Sequence, residues 1–310
     1  MHAGFTGLTK MAAHRTRQEE NMSELLATPH GTMSVLNEFG LRAKKKYGQN
    51  FLINRGIVDQ IVDAAEISKE DCVLEIGPGI GTMTQLLSEA AGHVTAVEID
   101  RSLEKVLDHT LEDCGNVTIL FQDILKTNLK AVAAEFNEGR PLKCVANLPY
   151  YITTPILLQL FQESDCFESI TVMVQKEVAD RILATEKDKE YGALSLAVRY
   201  YSEPELVCIV SPGNFIPRPG VDSAVLKLSI RHEPVVDADE TFLFALIRAA
   251  FNQRRKTLAN ALSHGLAEKE GSVAREEVQE ALVKMGLSET IRGEKLSLEQ
   301  FAELARLLKK

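Results

Sequence analysis

Three short segments carry residue types whose spacing implies chemistry. Glu75-Ile76-Gly77-Pro78-Gly79-Ile80-Gly81 follows an apolar, strand-like run, Glu98 ends the next such run, and Asn147-Leu148-Pro149-Tyr150 ends a later one. A glycine-rich turn between a strand and its helix lets a ligand approach the backbone closely and presents helix N-terminal amides. Dinucleotide enzymes write that turn as GxGxxG. Here the spacing is Gly77-x-Gly79-x-Gly81 with the acid Glu75 ahead of it. That form is typical of enzymes that bind S-adenosylmethionine, which has no pyrophosphate to cradle. Glu98 falls at the ~20-residue interval expected of an acid that accepts both hydroxyls of a ribose. The plainer role for Glu98 is a surface acid capping the next helix, but the two features in register favour the cofactor. Asp123 follows the third strand. It either accepts a hydrogen bond from the amino group of the cofactor's adenine or serves as an ordinary turn or N-cap residue.

Asn147-Leu148-Pro149-Tyr150 is expected on the same carboxyl edge of the sheet, where open α/β folds bind ligands. An exocyclic adenine amine is a poor nucleophile, because its lone pair is delocalised into the ring. The Asn147 Oδ1 and the Leu148 carbonyl can accept its two hydrogens and turn the lone pair towards a methyl donor. Pro149 fixes the turn and removes a competing donor, and Tyr150 offers a face for stacking. Such catalysis is alignment and electrostatics, with no strong general base. Phe215, in Phe215-Ile216-Pro217-Arg218-Pro219, is either a second wall for the base or a core residue. Taken together, the segments read as an adenine N6-methyltransferase.

The elements that must position these residues are legible in the pattern. Strands are expected over 72–76, 94–99, 117–121, 142–146 and 170–174, alternating with helices over 82–91, 102–111, 129–136, 155–162 and 178–185. Ile57, Ile61, Val62 and Ala65 mark an earlier helix with Asn54 as its cap. Buried β-branched runs alternating with helices predict a mostly parallel sheet covered on both faces. Strands over 206–210 and 224–230 follow with no long helix between them, an antiparallel edge. Beyond Pro234 the signals are helical: 241–251, then 275–285 with Gly286 as its stop, then a capping box of Ser297 and Gln300 opening a helix through Leu308. The expected fold class is therefore α/β, a Rossmann-like methyltransferase sheet with a small all-α C-terminal domain. The expected divisions are a mobile N-terminal extension over 1–33, a catalytic domain over 34–233 and a helical domain over 234–310.

The chain has 310 residues, 45% hydrophobic and 25% charged, with a net charge of −9. These are ordinary values for a soluble globular protein, and no run approaches the ~20 apolar residues of a membrane span. No secretory signal is visible. Five cysteines, widely spaced and without a CxxC, fit a reduced cytosol and argue against a disulfide framework or a zinc site. No metal is expected. The negative charge disfavours nucleic acid when taken alone, yet distribution matters more than the sum. Two basic runs stand out: Lys44, Lys45 and Lys46, and Arg254, Arg255 and Lys256. If 241–262 were one helix, Arg254 and Arg255 would flank its apolar line, and unpaired buried arginines are costly. Either the helix breaks near Asn252-Gln253 or the arginines face an anion such as RNA phosphate.

At this point the residues resemble a known family, the KsgA-type (RsmA) ribosomal RNA adenine N6,N6-dimethyltransferases. The resemblance covers roughly residues 45–308. It is carried by Gly48-Gln49-Asn50-Phe51-Leu52, the Glu75–Gly81 turn, Glu98-Ile99-Asp100, Asn147-Leu148-Pro149-Tyr150-Tyr151, Phe215-x-Pro217-x-Pro219 and the 251–258 segment Phe-Asn-Gln-Arg-Arg-Lys-Thr-Leu. It implies S-adenosylmethionine contacts at Asn50, Leu52, Gly77, Gly79, Glu98, Asp123 and Asn147. It also implies, as substrate, two adjacent adenosines in a hairpin near the 3′ end of 16S ribosomal RNA, within a small-subunit particle or its precursor. A monomeric, cytoplasmic enzyme of ribosome biogenesis is expected. Erythromycin-resistance methyltransferases share the catalytic half, but the 150–155 and 254–258 segments resemble the KsgA side. Other classes compete: an NAD-dependent oxidoreductase, which the glycine spacing disfavours; a non-enzymatic assembly factor, which the intact tetrapeptide disfavours; and a DNA adenine methyltransferase, which uses the same tetrapeptide chemistry.

Overall fold

The computed structural model describes residues 26–266 and 272–309. A short antiparallel ladder joins β1 (Phe51–Leu52) to β8 (Phe215–Ile216). The main sheet holds β2 (Cys72–Ile76), β3 (His93–Glu98), β4 (Val117–Phe121), β5 (Leu142–Asn147), β6 (Phe167–Gln175), β7 (Ser202–Val210) and β9 (Ser223–Ile230), in the order β4-β3-β2-β5-β6-β9-β7. β4, β3, β2, β5 and β6 run parallel, and β9 is antiparallel to both of its neighbours. The expected antiparallel edge is present, with β9 inserted inside it and β7 outermost. Pro204 on β7 costs no ladder bond on a strand's free side, and its place here is the edge position prolines tolerate.

The strands are apolar on both faces because both are covered. Leu74, Ile76, Cys144, Ala146, Ile170 and Val172 pack on one side with α5 (Leu129–Asn137), α6 (Thr153–Gln162) and α7 (Lys176–Leu183). The alternate residues Val73, Val145 and Met173 pack on the other with α2 (Arg55–Ala64) and α3 (Thr82–Ala90). This period of two is the pleat itself. α4 (Glu104–Thr110) completes that face through Val106 and Leu107. Asn54 stands at the N-cap position of α2, but its side chain makes no cap bond and donates instead to Asn214 Oδ1 at 2.8 Å.

Residues 1–25 of the expected extension lie outside the described residues. Residues 26–33 are packed rather than loose. Leu26 is 1% exposed against Ile80, Val106 and Leu107, and its carbonyl accepts from Thr32 Oγ1 at 2.6 Å. Thr28 caps α1 (Pro29–Glu38), whose first residue is a proline with φ suited to that place.

One further helix, α8 (Ala193–Tyr201), went unforeseen; it runs straight into β7, so its apolar residues merge with the strand pattern that follows. α8 matters because it joins the two halves. The C-terminal helices are α9 (Glu240–Asn252), α10 (Leu258–Gly265), α11 (Arg275–Lys284) and α12 (Leu298–Leu308). The long helix does break at Asn252-Gln253. Gly286, at φ +71°, stops α11, and Ser297 and Gln300 form the expected reciprocal cap of α12. The core of these helices includes Tyr191, Leu196 and Tyr200 from the sheet half. Tyr201 lies parallel between Phe161, at 5.3 Å, and Phe244, at 5.6 Å. The expected boundary at 233/234 thus falls in a connecting loop between two tightly joined layers.

Gly92 marks the tightest backbone approach leading into β3. A Cβ there would lie 2.4 Å from the Lys69 carbonyl oxygen, a backbone atom that cannot swing aside. Gly92→Ala is expected to destabilise the chain by about 1–3 kcal/mol in urea unfolding, the usual cost of overpacking.

Candidate active site

Strand order reverses between β2 and β5, because the chain winds outward through β3 and β4 on one side and through β5 and β6 on the other. The loops after adjacent strands diverge there and leave a crevice, the usual ligand site of open α/β sheets. The carboxyl ends of β2, β3, β4 and β5 deliver Glu75 and Gly77, Glu98, Asp123 and Asn147 to one cleft, as foreseen. The cleft is also lined by Asn50 and Leu52 on β1 and its approach, and by Leu148, Pro149 and Tyr150.

Gly77 and Gly79 have φ of +73° and +62°, backbone that favours glycine. Nothing lies within 4 Å of a Cβ built on Gly77, so the turn presents bare backbone to the cleft. Gly79 is crowded by the Phe51 ring at 3.3 Å and donates its N–H to Glu98 Oε2 at 3.2 Å. Glu98 Oε1 accepts from the Asp100 N–H at 2.7 Å. Each carboxylate oxygen keeps a second lone pair for a ligand. Glu98 is 5% exposed, and burial pushes its carboxyl above the usual range despite those two donors.

Glu75 is fully buried, and both of its oxygens lack a hydrogen-bond partner among the described residues. Burial pushes its carboxyl from the ordinary 4.5 up to about 8; the Thr84 hydroxyl, close by but outside hydrogen-bond geometry, opposes the rise, and the Glu98 charge adds to it. Asp123 does act as a turn cap, with Oδ1 accepting from Leu125 N at 3.0 Å, and it lines the cleft as well. Of its two readings the turn cap is the one seen, and it leaves the residue on the cleft wall.

Asn147 Nδ2 donates to the Asn50 carbonyl at 3.2 Å. That bond fixes the amide and leaves Oδ1 as the acceptor. Leu148 is anchored by its N–H to the Met173 carbonyl at 3.0 Å, and the Pro149 carbonyl is taken by Ile152 N and Thr153 Oγ1. Tyr150 is half-buried, its hydroxyl bonded to Ser223 Oγ at 2.7 Å, which sets the ring plane.

Phe215 is a correction. It is 1% exposed among Leu52, Val58, Met83 and Val225, directly behind the cleft residues Leu52 and Met83 and not itself in the lining. Its pairing opposite Leu52 in the β1–β8 ladder turns the ring into the core. Of the two readings of Phe215, a second wall for the base or a core residue, the core position is the one seen in this structure.

The basic runs divide. Lys44 Nζ pairs with Asp100 at 2.9 Å and also donates to Ser102 Oγ. Burial works against the Asp100 carboxylate, but those partners hold its pKa below the usual range. Lys44 is therefore a clasp for the loop that precedes Asn50, not a free phosphate contact. The Lys45 side chain lies outside the described residues. Lys46 is exposed, 4.3 Å from the Tyr47 ring centroid. Arg254 donates to the carbonyls of Lys189 and Tyr191 and pairs with Glu294 at 3.4 Å, so it ties the two halves together. Arg255 and Lys256 are exposed.

Tyr47, Gly48, Gln49 and Tyr151 also border the cleft, and none was singled out as a site residue. Gln49 had a signal: it sits between two predicted contacts and bridges Lys44 N and Asp100 Oδ2. No group of three or more His, Cys, Asp or Glu suited to a metal occurs among the described residues.

Residues 40–310 match the family model described as ribosomal RNA adenine dimethylase. A ribosomal RNA small subunit methyltransferase A from Lachnoclostridium phytofermentans is 52% identical, over 91% of this chain and 97% of that one. A solved dimethyladenosine transferase from Plasmodium falciparum superposes with a TM-score of 0.67 at 28% identity, over 82% of this chain and 95% of its own. The solved 23S rRNA methyltransferase ErmE gives 0.63 at 26%, over 84% and 100%.

The buried, unpaired Glu75 makes stability pH-dependent. Its folded pKa is raised, so its contribution is full below about 4.5 and is lost as pH rises through about 8. Glu75→Gln removes this titration. The unfolding free energy of the variant relative to the parent is expected to grow across that window, by up to about 1.4 kcal/mol per pH unit. A pH-independent difference in urea unfolding overturns it.

Proposed function

The chain belongs to the ribosomal RNA adenine dimethylase family, and from that premise we propose that its cleft binds S-adenosylmethionine and dimethylates two adjacent adenosines in a hairpin near the 3′ end of 16S ribosomal RNA. It is a ribosomal RNA adenine dimethyltransferase of the small subunit. The observation that carries the site assignment is the fixed amide of Asn147, held by the Asn50 carbonyl with Oδ1 left over.

The cleft suits the cofactor. Glu98 offers buried carboxylate acceptors for a ribose diol, the Gly77 backbone is open to close approach, and Asp123 stands at the adenine end. S-adenosylmethionine supplies, when bound, an electrophilic methyl group on a sulfonium. The protein's part is alignment. Asn147 Oδ1 and the Leu148 carbonyl accept the two N6 hydrogens and localise the nitrogen lone pair. Pro149 contributes no N–H to compete for those acceptors. The Tyr150 ring, fixed through Ser223, receives the base on one face. Each transfer forms one N–C bond, breaks the methyl–sulfur bond and releases one N6 proton. Fixed dipoles aimed at the reacting nitrogen need no reorganisation at that moment.

The RNA contacts are assigned to Lys46, Arg255 and Lys256, with Lys44 and Arg254 holding the framework instead. The helices of 234–310 are the proposed ribosome-contacting part. Among the described residues no helix is long and apolar enough to cross a membrane. A monomer working in the cytoplasm during ribosome biogenesis fits such a substrate.

The test is methyl transfer from labelled S-adenosylmethionine to small ribosomal subunits that lack adenine dimethylation, with large subunits and duplex DNA as controls. Dimethyladenosine is expected in small-subunit RNA alone. Asn147→Ala is expected to abolish transfer while cofactor binding stays measurable, and unchanged turnover refutes the amine alignment. Glu98→Ala is expected to weaken cofactor binding by ~1–3 kcal/mol, the worth of a charge-assisted hydrogen bond; equal affinity in calorimetry removes its ribose role.

A further inference from the structure

A second surface feature opens directly off the cleft. Asp123 and Ile124 line the cleft, and the next residues, Leu125 and Lys126, line a groove. On the facing helix α6, Ile156 lines the cleft while Leu158 borders the groove. Gln159 Nε2 donates to the carbonyls of Ile124 at 2.9 Å and Thr127 at 3.4 Å, which holds the two walls at a fixed separation.

The chemistry of the groove is that of a nucleic-acid track. Lys126 and Lys130 are exposed and make no ion pair among the described residues. One acid, Glu163, shares the lining with them. Leu125 and Leu158, 40% and 41% exposed, line the same groove. Tyr151 lines the adjoining cleft rather than the groove, three residues before Thr154 on the groove wall; it is 55% exposed and its ring lies 3.4 Å from a Cβ built on Gly48. Exposed lysines and leucines in the groove, next to an exposed tyrosine in the adjoining cleft, suit a strand whose phosphates need cations and whose bases need flat contact. In a chain of net charge −9, unpaired cations beside the cleft offset a field that otherwise repels phosphate.

We propose that this groove, between the turn after Asp123 and helix α6, holds the single-stranded RNA that flanks the target adenosine. The inference rests on the functional reading above and names where the substrate leaves the site. An adenine drawn into the cleft pulls its neighbours out of their stack. Tyr151 takes the next base, and Lys126 and Lys130 take the phosphates beyond it.

The test uses the full chain with Lys126→Ala and Lys130→Ala combined, and separately Tyr151→Ala, on undimethylated small ribosomal subunits. Methyl transfer is followed over a salt series, with cofactor affinity measured by calorimetry to report an intact cleft. The double variant is expected to raise KM by about 3- to 10-fold and to shrink the slope of log affinity against log salt by about 1–2. Tyr151→Ala is expected to raise KM with the salt slope unchanged, as lost stacking does. A double variant with the parent's KM and slope overturns the proposal. So does a raised KM with the parent's slope, which assigns the groove to a ribosomal protein instead. A parent chain that transfers nothing to small subunits overturns the functional reading, and this inference with it.

Discussion

Everything at the site follows from the parallel pairing of β2 with both β3 and β5. That pairing sets Glu75 opposite Ala96 on one side and Val145 on the other, and brings the ends of all three strands to one level. The register is held by burial on both faces. A slip of one residue would exchange Val73 for Leu74 and turn a carboxylate into the opposite packing layer. The placement of the glycine turn, of Glu98 and of Asn147 is therefore a consequence of where apolar residues fall in three short strands. The chemistry is carried on loops, but the loops are aimed by the sheet.

The second ordering influence is electrostatic. Two acids are buried at the cleft, and the structure treats them differently. Glu98 is surrounded by backbone donors, whereas Glu75 has none and stays neutral well above the usual carboxylate range. A neutral Glu75 spares the cleft a second negative charge beside Glu98. The cations are divided in the same way. Lys44 and Arg254 are spent on intramolecular clasps, one holding the loop that carries Asn50 and the other joining the halves. What remains for an anionic partner is a sparse set of exposed side chains around the cleft and the first turn past α9.

The parallel core was legible because short β-branched runs and glycine turns are local signals, and so were the caps at Ser297 and Gly286. The site acids and the tetrapeptide were legible for the same reason: each follows its strand directly. What could not be read depends on contacts distant in sequence. Phe215 looks the same in a core or in a cleft, and only its pairing with Leu52, far back in the chain, decides. Lys44 and Arg254 read as free basic runs because their partners, Asp100 and Lys189, are remote in sequence. α8 was hidden because its buried residues, Leu196, Val198 and Tyr200, continue into a strand without a breaker.

The parallel stack of Phe161, Tyr201 and Phe244 has a consequence for how such a chain can change over time. Phe161 lies on the helix that begins just past the Asn147-Leu148-Pro149-Tyr150 tetrapeptide, Tyr201 ends α8, and Phe244 belongs to the C-terminal helices. The helical part is consequently no portable cassette. Grafting a foreign one onto this catalytic half leaves one face of Tyr201 without its partner and exposes the apolar flank of α8. The stack therefore ties the two halves together, and changes that leave it intact are confined to the outer faces of the C-terminal helices.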